Sequence, residues 1–298
     1  MNGVLIIDKS PGLTSHDVVH RVRRILGQRS IGHLGTLDPM ATGVLPLVIG
    51  SFTRLAQFYL SSEKIYEGAI RFGFSTDTYD AEGEATSEPK DVELSREELE
   101  RVAGRFRGVI SQNPPPYSAK KIKGVPAYKL ARKQKEVRLE PVQVEIKELE
   151  ILATHADRAD FRARVGSGTY MRSVAHDMGQ AIGCGAHLES LRRTSVAEFA
   201  LDEAHTLEEI EQAKTDDGHR DGKSVIETLF VHPRKLLPSL PSVTADEIAV
   251  GHIRSGRTVN LLELSRARQV KVFAGQRDLI AIATRVAGTL FHPKIVFC

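Results

Sequence analysis

Residues 32–46 constrain the fold more than any other part of this chain, because they interrupt regular structure repeatedly. The segment holds three glycines and two prolines among mostly apolar residues. This pattern excludes a helix interior and is too apolar for a typical solvated loop. Asp38 is its single acidic residue. A lone carboxylate in such a stiff turn predicts a nucleophile or a ligand, although Asp followed by Pro is also a common helix cap.

Composition limits the remaining possibilities. The chain has 298 residues, of which 41% are hydrophobic, so we expect a folded protein with one large and one small domain. Its two cysteines, Cys184 and Cys298, are far apart. This spacing argues against a disulfide framework or a structural zinc site and predicts a cytoplasmic protein. No apolar run approaches transmembrane length, so we expect no membrane association.

Periodicity predicts alternating helices and strands in the first 200 residues. Thr14 and Asp17 form a capping pair before a helix that Gly27 ends. Further helices are expected at 51–60, at 95–104 after Ser95, and from about 169 to 183. Strands are expected at 4–7, 44–49, 64–74, 142–152 and 160–166.

The charge pattern inverts near the middle of the chain. Residues 77–100 are acidic and are expected to face solvent. Residues 114–138 contain eight Lys or Arg and one Glu, with Tyr117 and Tyr128 among them. Lysines neutralise phosphates and tyrosines stack on bases, so this segment is predicted to be an RNA-binding insertion rather than ordinary solvated surface.

The last part of the chain is predicted to form a second unit. The proline-rich stretch 232–241 resembles a linker, and residues 244–247 resemble a capping box before a short helix. Three β-like runs follow, at 269–274, 279–286 and 294–297. The unit has eight basic residues against four acidic ones, which fits RNA binding.

Two motifs outside the Asp38 turn carry candidate chemistry. Tyr170 and Arg172 follow a glycine-rich turn at a predicted helix start. An arginine can bind a carboxylate through two parallel hydrogen bonds and keep it ionised as a nucleophile. Tyr66 lies on a predicted strand and shares a face with Lys64. Without further evidence, Arg172 is also compatible with an ordinary surface arginine, and Tyr66 with an ordinary half-buried strand tyrosine.

The Asp38 run G-T-L-D-P, the T-Y-M-R run at Arg172 and the K-I-Y run at Tyr66 together resemble the TruB family of tRNA pseudouridine synthases. The resemblance covers residues 4 to about 195. It implies that Asp38 is the catalytic residue, that Arg172 pairs with it, and that Tyr66 stacks on the target uracil. Met171 occupies a position where the family usually has an aliphatic residue such as Ile.

The resemblance also implies substrate-binding roles outside these three positions. Lys9 would lie near the active site, Tyr170 and Leu191 would line the pocket, and His33 would insert into the RNA stack. The charge pattern of the basic insertion separately predicts a substrate-binding role for its lysines Lys120, Lys121 and Lys123. No cofactor and no metal are implied, and the sequence contains no P-loop or zinc deaminase signature.

The implied fold is α+β, with a mixed and mainly antiparallel sheet. A pseudouridine synthase catalytic domain at 1–235 would precede a PUA-like β-barrel at 243–298. The implied reaction converts uridine 55 in the T-loop of tRNA to pseudouridine by base flipping. The C-terminal domain would contact the acceptor stem, and a monomer without a protein partner is expected.

Three interpretations remain open from the sequence. The chain is a stand-alone tRNA enzyme, a non-catalytic RNA-binding protein on the same scaffold, or a guide-RNA-dependent synthase. Intact Asp38, Tyr66 and Arg172 favour the first over the second. The basic insertion and the lack of basic terminal tails disfavour the third. Whether Asp38 attacks uracil C6 or ribose C1′ stays undecided.

Overall fold

A computed structural model of the protein describes residues 1–118, 120–122, 124–126, 139–216, 219–220, 223–263 and 265–297. Its helices are α1 (Ser15–Leu26), α2 (Arg96–Gly104), α3 (Met171–Ile182), α4 (Leu207–Thr215), α5 (Val225–Thr228) and α6 (Glu247–Arg254). Short 3₁₀ helices cover Gly50–Phe58, Leu201–Glu203 and Pro233–Lys235.

The strands of the first 200 residues are β1 (Gly3–Lys9), β2 (Ile31–His33), β3 (Thr42–Ile49), β4 (Lys64–Phe72), β5 (Gly108–Gln112), β6 (Lys121–Ile122), β7 (Val125–Pro126), β8 (Val142–His155), β9 (Arg158–Val165), β10 (Ala186–Val196) and β11 (Phe199–Ala200). The later strands are β12 (His219–Arg220), β13 (Lys223–Ser224), β14 (Ser242–Ala245), β15 (Val259–Asn260), β16 (Gln269–Ala274), β17 (Asp278–Ala287) and β18 (Leu290–Val296).

The large sheet runs in the order β1-β3-β10-β4-β9-β8-β5, with β2 added on β3 and β11 on β10. Its pairings are antiparallel except between β3 and β10, which run parallel. The predicted α+β class with a mixed, mainly antiparallel sheet is therefore confirmed. Because β3 and β4 both pair with β10, the chain segments around Asp38 and Tyr66 meet on the same part of the sheet.

The first helix begins and ends where its sequence predicts. The Thr14 hydroxyl accepts a hydrogen bond from the Asp17 amide, and the Asp17 side chain accepts one from the Thr14 amide. Gly27 closes the helix at φ 63°, a conformation that glycine adopts without strain. Between these caps, Val18, Val19 and Val22 are buried against the large sheet. Local sequence alone specifies this element.

The helix predicted at 51–60 is a 3₁₀ helix over residues 50–58, with Phe52 and Leu55 buried. One local prediction was wrong. Thr244 does not cap a helix, because residues 242–245 form strand β14 and pair with β16. Asp246 is the N-cap of α6, and its carboxylate accepts a hydrogen bond from the Ala249 amide.

The C-terminal strands form a separate five-stranded sheet in the order β14-β16-β17-β18-β15. This curled sheet is consistent with a PUA-like fold. It packs on the first sheet through a shared apolar cluster that includes Val4, Val48, Phe52, Phe273 and Phe297. The two sheets therefore share one of the buried cores.

The predicted linker is packed between the two sheets. Leu236 and Leu237 are buried. The Lys271 ammonium of β16 donates to the carbonyls of Arg234 and Leu236 at 3.0 and 2.6 Å. The Leu237 amide donates to the Glu198 carboxylate at 2.8 Å. The connection is thus held by hydrogen bonds from both sides.

No helix among the described residues is both long and apolar enough to cross a membrane.

Candidate active site

Lys9, at the end of β1, holds the Asp38 turn in place through hydrogen bonds. Its side chain is completely buried, and its ammonium donates to the carbonyls of Ser10, Leu13 and Pro39 at 2.9, 2.7 and 3.0 Å. Burial lowers the pKa of Lys9 to about 8, although nearby Asp38 partly offsets the shift. Since Pro39 directly follows Asp38, Lys9 fixes the turn that carries the carboxylate.

Arg193 of β10 holds the same turn from the other side. Its guanidinium donates to the carbonyls of Gly35, Thr36 and Val44 at 3.0, 3.2 and 2.8 Å, and the side chain is almost fully buried. These carbonyls lie on both flanks of Asp38. One buried side chain therefore closes the loop that presents the carboxylate.

Asp38 and Arg172 form the ion pair that the sequence predicts. Arg172 Nε donates to Asp38 Oδ2 at 2.9 Å, and Arg172 Nη2 donates to Asp38 Oδ1 at 3.1 Å. The carboxylate is 35% exposed whereas the arginine side chain is 5% exposed. The buried guanidinium therefore fixes the orientation of the Asp38 carboxylate, which stays accessible to a ligand.

Arg172 is itself held by two neighbouring segments. Its Nη1 donates to the Thr78 carbonyl at 3.0 Å and lies 3.5 Å from an Asp80 carboxylate oxygen. Its Nη2 also donates to the Tyr117 carbonyl at 3.0 Å. The prediction that the acidic stretch from residue 77 faces solvent is therefore wrong for Asp80, which is buried beside this guanidinium.

A pocket of about 250 Å³ opens above the ion pair. The predicted residues that line it are Asp38, Tyr66, Tyr170, Arg172 and Leu191. Tyr66 and Leu191 are nearly buried and contribute apolar surface to the pocket. Burial raises the pKa of Tyr170, so this phenol stays protonated near neutral pH. The arrangement suits a small flat ring with a polar edge.

Two predicted residues lie beside the pocket and do not line it. The Lys9 ammonium donates to three backbone carbonyls of the turn, and the substrate-binding role of Lys9 stays a prediction. His33 ends β2, and its Nδ1 accepts a hydrogen bond from the Gly35 amide at 3.4 Å. Burial lowers the pKa of His33, which keeps its ring neutral.

The basic insertion is described only in part. Lys120 Nζ donates to the Glu140 carbonyl at 3.1 Å. Lys121 lies on strand β6, and Lys123 lies outside the described residues. The first residues of the insertion lie at the pocket. The Tyr117 carbonyl accepts a hydrogen bond from Arg172, and Ser118 lines the pocket.

Sequence reasoning missed the roles of Asp80, Ser118, Lys64 and Arg193 at this site. Leu191 was predicted to line the pocket, but Arg193, two positions further along, was not singled out. Lys64 shares a strand face with Tyr66, which was the available signal for its place in the pocket. No local signal marks Asp80, since its partner is distant in the chain.

The described part of the chain contains no group of three or more His, Cys, Asp or Glu side chains placed to hold a metal ion.

Comparison with known proteins identifies the family. Residues 23–171 match the model of the TruB family pseudouridylate synthase N-terminal domain, and residues 172–236 match the tRNA pseudouridylate synthase B C-terminal domain. The chain belongs to the TruB family of pseudouridylate synthases. The two matched regions contain Asp38, Tyr66 and Arg172. The ion pair and the pocket therefore lie within the residues that match the TruB family models.

Curated TruB relatives match nearly the whole chain. A protein of Solibacter usitatus named tRNA pseudouridine synthase B is 51% identical over 99% of this chain and 100% of its own length. A protein of the same name from Aquifex aeolicus is 38% identical over 99% of this chain and 100% of its length. Both matches extend through the C-terminal sheet.

Solved structures share the fold at lower identity. A Cbf5-Nop10-Gar1 complex contains a chain that matches with a TM-score of 0.71 and 25% identity, covering 99% of this chain and 85% of that one. An H/ACA RNP bound to a substrate RNA containing 2′-deoxyuridine matches with a TM-score of 0.72 and 24% identity, over 99% and 85% of the two chains. These matches include both sheets of the TruB protein and support the confirmed pseudouridine synthase fold.

Proposed function

We propose that this protein converts uridine 55 in the T-loop of tRNA to pseudouridine, acting alone and in the cytoplasm. The observation that carries the proposal is the accessible Asp38 carboxylate, held by a buried Arg172 at the floor of a pocket that is walled by Tyr66 and Leu191. The TruB relatives named tRNA pseudouridine synthase B support tRNA as the substrate.

The chemistry needs one carboxylate and no exchange of electrons with a cofactor. The N1–C1′ bond of uridine breaks, the base rotates, and a C5–C1′ bond forms. The C5 proton then leaves to solvent while N1 gains one. Asp38 serves as the nucleophile, at uracil C6 or at ribose C1′, and the bond that it forms breaks again as pseudouridine is completed. Arg172 orients the Asp38 carboxylate through its two hydrogen bonds. Tyr66 stacks on the flipped uracil.

The pocket accepts a base only after that base has left its stack. Flipping costs roughly a few kcal/mol, which contacts to the extruded nucleotide must offset. Tyr66, Tyr170 and Leu191 supply apolar contact to the ring. We propose that His33 and the lysines of the insertion, Lys120, Lys121 and Lys123, contribute from the RNA side, with His33 filling the vacated stack.

We further propose a division of labour between two domains. Residues 1–235 form the catalytic domain and bind the T-arm, and residues 243–298 contact the acceptor stem. Eight basic residues against four acidic ones in the second domain support this assignment. The protein acts as a monomer, since one chain supplies Asp38, Tyr66 and Arg172 to one pocket.

The direct test uses the purified protein alone with a T-arm transcript that carries tritium at uracil C5. Formation of the new C5–C1′ bond releases that tritium to water. We expect release to approach one equivalent per transcript, and none from a transcript with cytidine at the target. Absence of release would contradict the stand-alone enzyme.

A guide-dependent synthase is the second candidate, because the H/ACA assemblies share the fold. The same assay separates the two, since a guide-dependent enzyme releases no tritium without a guide. The full-length matches to relatives named tRNA pseudouridine synthase B favour the stand-alone enzyme.

A further inference from the structure

Two cations beside the pocket lack an acidic partner. Lys64 and Arg193 both line it, on neighbouring strands β4 and β10. Lys64 Nζ donates to the Ser62 carbonyl at 2.6 Å, and Arg193 donates to three carbonyls. Among the described residues, neither forms an ion pair with a carboxylate. Arg172 differs, since its charge is balanced by Asp38 and Asp80.

The donors of this cation pair are not all used. A lysine ammonium has three N–H groups and a guanidinium has five. One of the three on Lys64 and three of the five on Arg193 are engaged by carbonyls. Two N–H groups therefore remain on each side chain.

Gly35 leaves the space beside both cations open. A Cβ built on Gly35 would lie 3.5 Å from Arg193 Nη1 and 3.8 Å from Lys64 Cε. Gly35 also lines the pocket. The two cations thus flank a small cradle at its edge.

The electrostatic state of the cradle favours an anion. Burial and the positive charge of Arg193 lower the pKa of Lys64 to about 8. Two adjacent cations in a partly desolvated site repel each other, and a bound anion relieves that cost. The only anions of an RNA backbone are its phosphates.

The position of Lys64 relative to Tyr66 fits a nucleotide. The two residues lie on the same face of β4, two positions apart, which places their Cα atoms about 6.6 Å apart along the strand. A base stacked on Tyr66 therefore has its own backbone within reach of Lys64.

We propose that Lys64 and Arg193 form a phosphate subsite for the RNA backbone next to the target uridine. This inference rests on the proposed RNA substrate. Lys64 contacts the phosphate directly, whereas Arg193 both holds the Asp38 turn and supplies positive charge. The subsite fixes the extruded nucleotide by its backbone while Tyr66 holds its base.

The test is equilibrium binding of a T-arm stem-loop by the full chain, in an Asp38→Asn background, across a series of KCl concentrations. Lys64→Gln removes one charge from the cradle. Lys214→Gln removes one from the exposed surface of α4 and serves as the matched control. Lys64→Arg keeps the charge. Each variant is compared for thermal unfolding before binding is measured.

The expected result is specific to Lys64. Loss of one phosphate contact reduces the slope of log K against log [KCl] by about 0.7 to 0.9. Loss of a charge-assisted hydrogen bond weakens binding about 10- to 100-fold. Lys214→Gln leaves the slope within about 0.2 of the reference, and Lys64→Arg retains most of it.

A second arm tests the phosphate itself. Neutral methylphosphonate replaces the phosphate on the 5′ or 3′ side of the target, one at a time, with a distal stem phosphate as control. With Lys64 present, one flanking substitution should weaken binding more than the distal one. In Lys64→Gln this extra loss should disappear.

Two results would overturn the subsite. One is a salt slope for Lys64→Gln equal to that of Lys214→Gln. The other is an equal loss of affinity for the flanking and the distal methylphosphonates when Lys64 is present. This comparison does not depend on whether a Lys64 variant folds. Tritium release by the wild type is scored separately. Tritium release without a Lys64-dependent methylphosphonate effect refutes the subsite alone. A Lys64-dependent methylphosphonate effect without tritium release refutes the catalytic proposal alone.

Discussion

Arg172 and Asp38 meet through two parallel hydrogen bonds of 2.9 and 3.1 Å, with the guanidinium buried and the carboxylate open to the pocket. The carbonyls of Thr78 and Tyr117 engage the remaining edge of the guanidinium. The position of Asp38 is thus determined by three chain segments that are distant in sequence.

Arg172→Lys should abolish most activity while leaving RNA binding nearly intact. A lysine keeps the charge but cannot form the two-pronged pair, so Asp38 loses its fixed orientation. We expect the single-turnover rate to fall about a hundredfold or more, as for other misplaced catalytic groups. Arg162→Lys, at an exposed arginine of β9, is the control and should keep full activity. A rate for Arg172→Lys within twofold of wild type would contradict the positioning role.

Gly43→Ala should strongly destabilise the protein. Gly43 has φ +97°, and an added Cβ would lie 2.2 Å from the Arg193 carbonyl oxygen across the parallel pairing of β3 and β10. Backbone strain and this overlap together should lower the free energy of unfolding by about 3 kcal/mol or more. Urea denaturation measures the change.

The matched control is Gly104→Ala at the end of α2. Nothing lies within 4 Å of a Cβ added there, so its effect should stay within about 1 kcal/mol. Equal stabilities for the two variants would show that Gly43 does not need its observed conformation.

Asp177→Asn should stabilise the protein in a pH-dependent way. Burial raises the pKa of Asp177 on α3 to about 6, against 3.8 for an ordinary aspartate carboxyl group. The folded state therefore binds more protons between about pH 4 and 6, and the stability contributed by this group falls as pH rises through that window. Above pH 6 the charge of the half-buried carboxylate remains a constant cost to the stability of the folded state, which asparagine removes.

Because Asp177 is only half-buried and solvent screens part of the effect, the expected gain from Asp177→Asn is about 1 to 2 kcal/mol at pH 8 and near zero at pH 4. Urea denaturation at both pH values measures it. Asp91→Asn, at an exposed position, should show no such difference between the two pH values. A gain that is the same at pH 4 and pH 8 would rule out the buried carboxylate as its cause.

The parts of the fold that depend on neighbouring residues were predictable from sequence. The α1 helix has its caps at Thr14 and Gly27 because those signals act within a few residues. Strand β14 was missed because residues 244–247 also fit a capping box. Its pairing with β16 determines the outcome, and each residue of β14 lies opposite one that is 29 positions further along the chain, as Ala245 does with Ala274.

The same distinction applies to the site. Asp38, Tyr66 and Arg172 stand out through motifs, and the structure brings them to one pocket. Asp80 was predicted to face solvent because its surroundings are acidic, yet it is buried beside Arg172. Arg193 was missed because its partners are backbone carbonyls, which no sequence pattern displays.

The most direct test of the account is tritium release by Asp38→Asn. Asparagine keeps the size of the side chain and can still meet the pocket, but it lacks the negative charge that attacks the nucleoside. In a single-turnover assay with excess protein and C5-tritiated T-arm transcript, we expect wild type and Asp91→Asn to release tritium fully. Asp38→Asn should release none above background while binding the transcript with wild-type affinity within about tenfold. Tritium release by Asp38→Asn at a rate comparable to wild type would contradict the assignment of Asp38 as the nucleophile.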